Sequence, residues 1–287
     1  MFQKLTLFVF LLFSCIIPVI AQQNNTYTII DTKSGTEVSF KHMVHKLNQS
    51  DIIIFGEEHN DSIAHALQFQ LLEDLYYSNE GKVAVSFEMW ERDVQPIMNE
   101  YLAGYISEKN FKKESRAWGN YDDYKPLVEF AKAKQLTATC ANTPARYTNM
   151  VTRGTLRALD KLPRQTKNQF LPDLPIDTLA GRYYEKFLEA MGGHISPNMH
   201  IYQSQNLWDA TMAYSITETM QQDPFQKVLH LNGRFHSDEN LGVTYRLKSH
   251  NPQGYRLATI SCVQANDYDP SLSNLADFVI MTGSKEK

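Results

Sequence analysis

The chain has 287 residues, 43% of them hydrophobic, and a formal net charge of −4. This slightly acidic balance gives no global attraction for polyanions, so nucleic acid is not an expected partner. Three cysteines are too few for a disulfide-stapled scaffold. A chain of this length can bury a full hydrophobic core as one large domain.

The first 21 residues have the three parts of a secretory signal peptide. Lys4 precedes a long apolar run, which ends in a small-residue exit at Ala21. Cleavage there leaves residues 22–287 as a single domain. Alternatively, "LFSC", ending at Cys15, is a lipidation site that anchors the protein to a membrane. Both interpretations predict an exported protein of the periplasm or cell envelope.

Short apolar runs rich in β-branched residues predict strands that are buried on both faces, as in a parallel sheet. The runs are "DIIIFG" (51–56), "KVAVSFEMW" (82–90), "QLTATCA" (135–141), "KVLHLNG" (227–233), "YRLATISCV" (255–263) and "DFVIM" (277–281). Residues 62–78 and 123–134, between the first three runs, have the apolar spacing of helices. This alternation predicts an α/β fold with a mostly parallel sheet flanked by helices.

The middle of the chain differs from this alternation. No strand is predicted between 150 and 222, and we expect a helical insertion at about 150–200 that covers the C-terminal rim of the strands. The insertion is rich in aromatic residues, methionines and histidines, including Tyr183, Tyr184, Phe187, Met191, His194, Met199, His200 and Tyr202. Such residues at helical spacing are typical of a core, but they also suit the flat apolar walls and axial ligand of a haem.

Polar residues follow the predicted strands at the point where each strand ends. In chain order these residues are Glu57, Glu58 and His59, then Glu88, then Asn142, and finally Arg234 and His236. The carboxyl ends of parallel strands meet at one edge, where open α/β proteins place ligands. We therefore expect these side chains to converge on one rim.

Other interpretations of the first cluster remain open. Glu57 and Glu58 equally suit the N-terminus of a following helix, where negative charge is favourable. A charged His59 opposes the helix dipole there, so we expect a neutral, functional imidazole. His65 lacks the spacing of a helical HExxH metal site and is expected to be a surface or packing residue.

The residues that follow the predicted strand at 227–233 also allow two interpretations. Arg234 suits a carboxylate or phosphate through its planar guanidinium, or else it forms a salt bridge with Glu57 or Glu88. His230 lies inside the predicted strand and is expected to be a core histidine. The two cysteines beyond residue 21 lie in predicted strands and are expected to be small buried hydrophobes.

Five sequence blocks, taken in order, resemble those of the ChaN-like haem-binding proteins. The blocks are "FGEEHND", "FEMW", "YKPLVEFAKAKQLTATCANTPARY", "QSQNLWDATMAYSI" and "LHLNGRFHSDENLGVTYRL". The resemblance covers residues 45–262, and the wider superfamily includes Tiki-type and erythromycin-esterase-like enzymes. It implies an exported haem-binding protein, often a lipoprotein, that serves haem or iron uptake with other uptake components. It also implies a homodimer around haem.

The resemblance carries over unevenly to individual residues. The rim residues that match family motifs, and that would form part of a haem site, are Glu57, His59, Glu88, Asn142, Arg234 and His236. No aligned motif supplies the axial ligand of the haem iron. Tyrosine suits ferric haem, so the candidates are Tyr147, Tyr183, Tyr184 and Tyr202, alongside His194 and His200.

A hydrolase is the alternative to a haem-binding protein. In that interpretation His59 is the general base, Glu57 or Glu88 orients it, and Arg234 stabilises developing negative charge. His236 completes the catalytic set. A divalent metal bound by the same histidines and glutamates would instead activate the attacking water.

Overall fold

The computed structural model describes residues 27–173, 175–193, 199–223, 226–268 and 274–283. Its strands are Tyr27–Asp31 (β1), Thr36–Val38 (β2), Ile52–Glu57 (β3), Val83–Glu91 (β4), Ala138–Asn142 (β5), Lys227–Gly233 (β6), Leu257–Gln264 (β7) and Phe278–Thr282 (β8). Its helices are Phe40–Leu47 (α1), Ser62–Ser78 (α2), Gln95–Leu102 (α3), Glu108–Glu114 (α4), Tyr121–Lys134 (α5), Ala145–Gly154 (α6), Arg164–Phe170 (α7), Arg182–Ala190 (α8), Ile201–Gln222 (α9) and Gly242–Ser249 (α10). The predicted signal peptide and His194 lie outside the described residues.

The strands form one sheet in the order β2-β1-β8-β7-β3-β6-β4-β5. From β8 to β5 all neighbours are parallel, whereas β1 pairs antiparallel with both β2 and β8. The predicted α/β fold with a mostly parallel sheet is therefore confirmed, with all six predicted strands present. Sequence analysis missed β1 and β2 because β1 is mostly half-buried, β2 is mostly exposed, and neither short strand has a continuous buried apolar run.

Both faces of the sheet are buried, which explains why the parallel strands are continuously apolar. Side chains alternate between the two faces along a strand. In β3, Ile53 and Phe55 pack on one face with α1, α2 and α5. Ile52 and Ile54 pack on the other face with α9 and α10. Cys140 and Cys262 are buried and free, as expected.

The insertion is held to the sheet layer by a buried arginine. Arg246 of α10 is 1% exposed and donates hydrogen bonds to the carbonyls of Pro175 and Asp177, each at 2.8 Å. It also donates to Asn206 Oδ1 in α9 at 3.0 Å. These bonds fix the chain that leads into α8. Among the described helices, none has the length and apolar character needed to cross a membrane.

Candidate functional site

The first component of the site is a buried glutamate at the end of β3. Glu57 is 1% exposed, and its carboxylate accepts hydrogen bonds from the Tyr124 hydroxyl at 2.5 Å and from the Gln68 amide. It also contacts His59 Nδ1 at 2.8 Å. Buried carboxylates require such partners because losing water costs them several kcal/mol. Glu57 is therefore a fixed anchor for the His59 ring.

The alternative that Glu57 and Glu58 serve the start of a helix is wrong. Helix α2 begins at Ser62, and Asp61 caps it by accepting hydrogen bonds from the Ile63 and Ala64 amides at 3.0 and 3.1 Å. Glu57 still belongs to the strand. Its side chain therefore belongs to the rim and not to the start of the helix.

His59 is the accessible base of the rim. Its side chain is 42% exposed, and the ring packs edge-on against Trp118 with centroids 5.1 Å apart. Burial lowers its pKa, but the hydrogen bond to Glu57 and the charges of Glu88 and Glu57 outweigh this effect and raise it. The two carboxylates thus favour the protonated form, and the neutral imidazole expected from the sequence stays a prediction.

A glycine makes room for the His59 ring. A Cβ atom at Gly233 would lie 2.7 Å from His59 Nε2 and 3.0 Å from its Cε1. Real Cβ contacts are not this short, so any larger residue at 233 would displace the ring. Gly233 also donates its backbone N–H to Glu88 Oε2 at 2.6 Å, which ties the exits of β6 and β4 together.

The second component is a buried chain of hydrogen-bonded side chains. His236 Nε2 lies 3.3 Å from Glu88 Oε1, and His236 Nδ1 lies 2.6 Å from Asp209 Oδ1. The Tyr183 hydroxyl donates to Asp209 Oδ2 at 2.5 Å. All four side chains are at least nine-tenths buried. The chain links a strand exit to α9 and α8.

Mutual attraction keeps Glu88 and His236 charged. Burial raises the pKa of Glu88, but the charge and hydrogen bond of His236 outweigh it and lower the pKa to about 2. Burial lowers the pKa of His236, but Glu88 and Asp209 outweigh it and raise the pKa to about 10. His236 is therefore a cation near neutral pH, so His59 is the candidate base of the rim.

Arg234 forms salt bridges, but not with the predicted partners. Its guanidinium lies 3.1 Å from Glu58 Oε1 and 2.9 Å from Asp238 Oδ2. Glu57 and Glu88, the expected partners, are instead engaged with the two histidines. The Arg234 side chain remains 28% exposed at the cavity. An anionic ligand would have to compete with the half-exposed Glu58.

The rim opens into a cavity of about 460 Å³. Helix α8 forms its outer wall through Arg182, Lys186 and Glu189. Lys186 Nζ donates to the carbonyls of Phe235 and Asp238 at 3.2 and 3.4 Å. The insertion therefore covers the rim, as the fold prediction expects.

Some predicted site residues do not reach this cavity. Asn142 lies at the end of β5, the edge strand, and its side chain accepts the Thr143 amide at 2.8 Å. The edge position, together with a register shift between β4 and β5, keeps it away from the cavity lining. Tyr147 is 5% exposed and packs near Phe170, with ring centroids 6.1 Å apart.

Two further candidate haem ligands, His200 and Tyr202, lie at the start of α9, and two other histidines lie in the interior. His200 precedes α9, and its amide donates to the Thr152 carbonyl at 2.8 Å. Tyr202 donates its hydroxyl to the Leu179 carbonyl. His65 is a packing residue, within 3.2 Å of Gln68 Oε1. His230 is a core histidine, since it is fully buried, and this burial lowers its pKa to about 3.

Sequence reasoning missed several residues that build the site. They are Gln68, Tyr124, Arg182, Lys186, Gln205, Asp209 and Asp238. One signal was available: Ser204, Gln205 and Asp209 share a stretch of α9 with apolar residues that pack in the core. These three polar side chains are at most 7% exposed, so they need partners inside the protein.

The described residues do not support a divalent metal site. Within them, no group of three or more His, Cys, Asp and Glu side chains is arranged to hold a metal ion. The histidines of the rim are instead committed to carboxylates. Metal-assisted hydrolysis therefore lacks a visible ligand set in this part of the chain.

The fold and the rim define an α/β protein with a charged network at the carboxyl ends of its strands, and similarity to known proteins specifies the family. A family profile described as "Haem-binding uptake, Tiki superfamily, ChaN" matches residues 43–247. The chain belongs to this family. No curated protein matches.

Three solved structures are similar to this chain at low sequence identity, and the first of them shares its fold. ChaN of Campylobacter jejuni, solved with cofacial haem, has a TM-score of 0.68 and 16% identity, covering 91% of this chain and 98% of that one. An erythromycin esterase mutant, EreC, in its open conformation has a TM-score of 0.49 and 11% identity, covering 90% and 83%. A protein from Bacillus cereus has a TM-score of 0.43 and 10% identity, covering 79% and 76%.

Proposed function

We propose that this protein binds haem on the outer face of α8, and one observation carries the proposal. Tyr184, Leu188 and Met191 are spaced i, i+4 and i+7, so they form one row on the helix surface. Tyr184 is 41% exposed and Met191 is 36% exposed. Such a row of large apolar side chains on a surface marks a binding site. Membership of a haem-binding family supports haem as the ligand.

The rim cavity itself does not suit the porphyrin ring. Most of its lining side chains are charged, including Glu57, Glu58, Arg182, Arg234 and Glu239. An apolar macrocycle placed there would strip water from these groups without replacing their partners. The α8 face fits better, because Tyr184 adds an oxygen ligand to an apolar surface. The sequence-based expectation of haem between rim and insertion therefore moves to the outer side of α8.

Tyr184 is the candidate iron ligand that the geometry favours. Burial and the neighbouring Asp209 carboxylate raise the pKa of Tyr183 well above its usual value. Burial also raises the pKa of Tyr202 to about 12. Both shifts disfavour a phenolate. Tyr184 stands on the surface beside Tyr202, with ring centroids 4.9 Å apart. Bound ferric haem supplies the Lewis-acidic iron that a phenolate ligates.

The exposed position of the outer face of α8 also supports a dimer. One helix face covers one side of a porphyrin, so the other side needs a second apolar wall, which a second copy of this chain would supply. The C. jejuni protein binds haem cofacially. We place this activity in the cell envelope, because the first 21 residues have the pattern of an export signal. The family description supports a role in haem uptake, and we propose that other uptake components are its partners.

Haemin titration of the full chain tests the proposal. We expect a shifted Soret band that saturates at stoichiometric haemin, and sedimentation that becomes faster when haemin is added. Tyr184→Phe should weaken binding at least about tenfold, through loss of the iron ligand. The matched control is Tyr245→Phe, since Tyr245 is 46% exposed on α10. An unshifted spectrum contradicts the proposal, and equal affinities for the two variants contradict the assignment of Tyr184.

A hydrolase is the second candidate, favoured by the His59–Glu57 pair at the mouth of the rim cavity. His59 becomes a general base when it loses its proton, so the rate should increase as pH rises through its raised pKa. A panel of chromogenic esters tests this activity. We expect His59→Gln to lower it about 100-fold. The control is His45→Gln, at an exposed position of α1. Equal rates for the two variants contradict catalysis by His59.

A further inference from the structure

A second cavity lies on another side of the molecule, along the exposed edge of the sheet. It has a volume of about 640 Å³ and runs beside β5, between α3 and the C-terminal half of α9. Its lining shares no residue with that of the rim cavity. We propose that this edge groove binds a neutral, hydroxyl-rich ligand of the oligosaccharide class. The inference is independent of haem binding and of the rim chemistry.

The lining of the edge groove is rich in uncharged hydrogen-bonding groups. Amide and hydroxyl side chains make up half of it, among them Asn99, Gln135, Thr139, Gln169 and Gln222. Amides both donate and accept, and hydroxyls rotate to suit either role. The hydroxyls of a sugar likewise donate and accept at many points. Asn99 Oδ1 accepts from Gln95 Nε2 and Thr139 pairs with Thr219, each at 2.8 Å, whereas the side-chain amides of Gln135, Gln169 and Gln222 remain to bind a sugar.

The charges in the groove are already neutralised by partners. Arg92 Nη1 lies 2.6 Å from Glu218 Oε2. Asp93 pairs with Arg116 at 2.5 Å and also with Arg146. An ionic ligand would have to break one of these pairs and leave its partner uncompensated, which is unfavourable. The groove therefore favours an uncharged ligand.

An extended peptide is disfavoured for a different reason. Peptides add to sheets by hydrogen bonding to the free backbone of an edge strand. Here the Gln95 side chain already occupies two of those groups in β5. Its Nε2 donates to the Ala138 carbonyl at 2.8 Å, and its Oε1 accepts the Cys140 amide at 2.7 Å. The edge is thereby closed to a pairing strand at this point.

Apolar residues in the edge groove also suit a sugar ligand. Phe170, Leu102 and Leu136 also line the groove. Sugar rings expose C–H faces as well as hydroxyls, so a site for them needs apolar surface beside polar groups. Most ligand sites combine apolar walls with a few placed polar groups. The edge groove has this composition, whereas the rim cavity is dominated by charge.

The test is saturation-transfer NMR and calorimetry on the full chain. The probes are chitotriose, maltotriose and cellotriose, compared with anionic trigalacturonate and an unstructured threonine-rich peptide. We expect saturable binding of at least one neutral trisaccharide and weaker binding of the anionic sugar and the peptide. Asn99→Ala and Gln222→Leu should each raise the Kd about threefold to tenfold, the effect of losing one neutral hydrogen bond.

The control variant is Gln70→Leu, an equivalent change at an exposed position of α2, a helix that does not line the groove. Asn99, Gln222 and Gln70 are all exposed, so these variants are expected to keep the wild-type melting temperature. Absence of binding by all three neutral sugars overturns the proposal. So does unchanged binding in the groove variants, or tighter binding of the peptide or the anionic sugar. Haemin titration of the same variants should be unaffected, which separates this site from the haem-binding proposal.

Discussion

The rim and the outer face of α8 lie on opposite sides of the same helix and differ in almost every physical property. At the rim, Glu57, Glu88 and His236 are buried and polar, and each is held by several partners. On the outer face, Tyr184 and Met191 are exposed and apolar. The rim is organised before any ligand arrives. The outer face gains its favourable contacts only when apolar surface covers it.

This difference suits the two sides of α8 to two different kinds of function. A pre-organised charged network suits proton transfer and the recognition of polar groups. An exposed apolar row suits the burial of a flat hydrophobic ligand. We therefore expect substitutions on one side of α8 to leave the function of the other side largely intact.

The largest effect is expected when the buried charge chain is broken. Asp209→Ala removes the carboxylate that accepts from both His236 and Tyr183. Removing one partner of a buried ion pair costs about 3–5 kcal/mol, and His236 then keeps, among the described residues, only its ion pair with Glu88. Urea denaturation should show this loss. Asp122→Ala is the control, because its carboxylate is 84% exposed and its lysine partner is 3.5 Å away. Equal stabilities of the two variants would contradict a charged network.

The second prediction concerns the pH dependence of stability. His236 has its pKa raised from 6.5 to about 10, so its contribution is complete below pH 6.5 and is lost as pH rises toward 10. Glu88 has its pKa lowered from 4.5 to about 2, so its contribution is complete above pH 4.5 and is lost as pH falls toward 2. These two groups place maximal stability between pH 4.5 and 6.5. Above that window they allow a decline of at most about 1.4 kcal/mol per pH unit.

Denaturant titrations at a series of pH values measure this dependence. The variant His236→Gln should flatten the decline above pH 7, because glutamine does not titrate. An unchanged slope would assign the decline to other groups. Haemin affinity near neutral pH should not follow the same curve if haem binds on the outer face.

A smaller effect is expected at Gly233. Alanine there forces its Cβ against the His59 ring, which must move away from Glu57. We expect a loss of about 1 kcal/mol in stability together with loss of any rim activity. The control is Gly119→Ala, because a Cβ at Gly119 meets no atom within 4 Å. Full rim activity in Gly233→Ala would show that the position of His59 is unimportant.

The smallest effect on stability is expected on the outer face. Met191→Gln replaces an exposed side chain, so the free energy of unfolding should change by less than about 0.5 kcal/mol. Haemin affinity should nevertheless fall, since apolar contact area is lost. Tyr105→Gln is the comparison, because Tyr105 is 82% exposed and lies far along the chain from α8. If both substitutions leave haemin affinity unchanged, the outer face of α8 is not the haem site.

Much of this arrangement was predictable from local sequence. Continuous β-branched runs predicted the buried parallel strands, and the residues after them predicted the rim, where Glu57, His59, Glu88, Arg234 and His236 do meet. This succeeded because parallel strands bring their carboxyl ends together whatever the loops do. The prediction for Asn142 failed because strand order cannot be read from local sequence, and β5 is the edge strand.

The sequence by itself determined the fold class, the strand exits and the family, because these depend on local periodicity and on ordered motifs. Only the tertiary structure decided how the charges pair. It joined His236 to Asp209 of α9, gave Arg234 to Glu58 and Asp238, and left Tyr184 outside. These outcomes depend on distances between segments remote in the chain and on burial, which together set the protonation of each group.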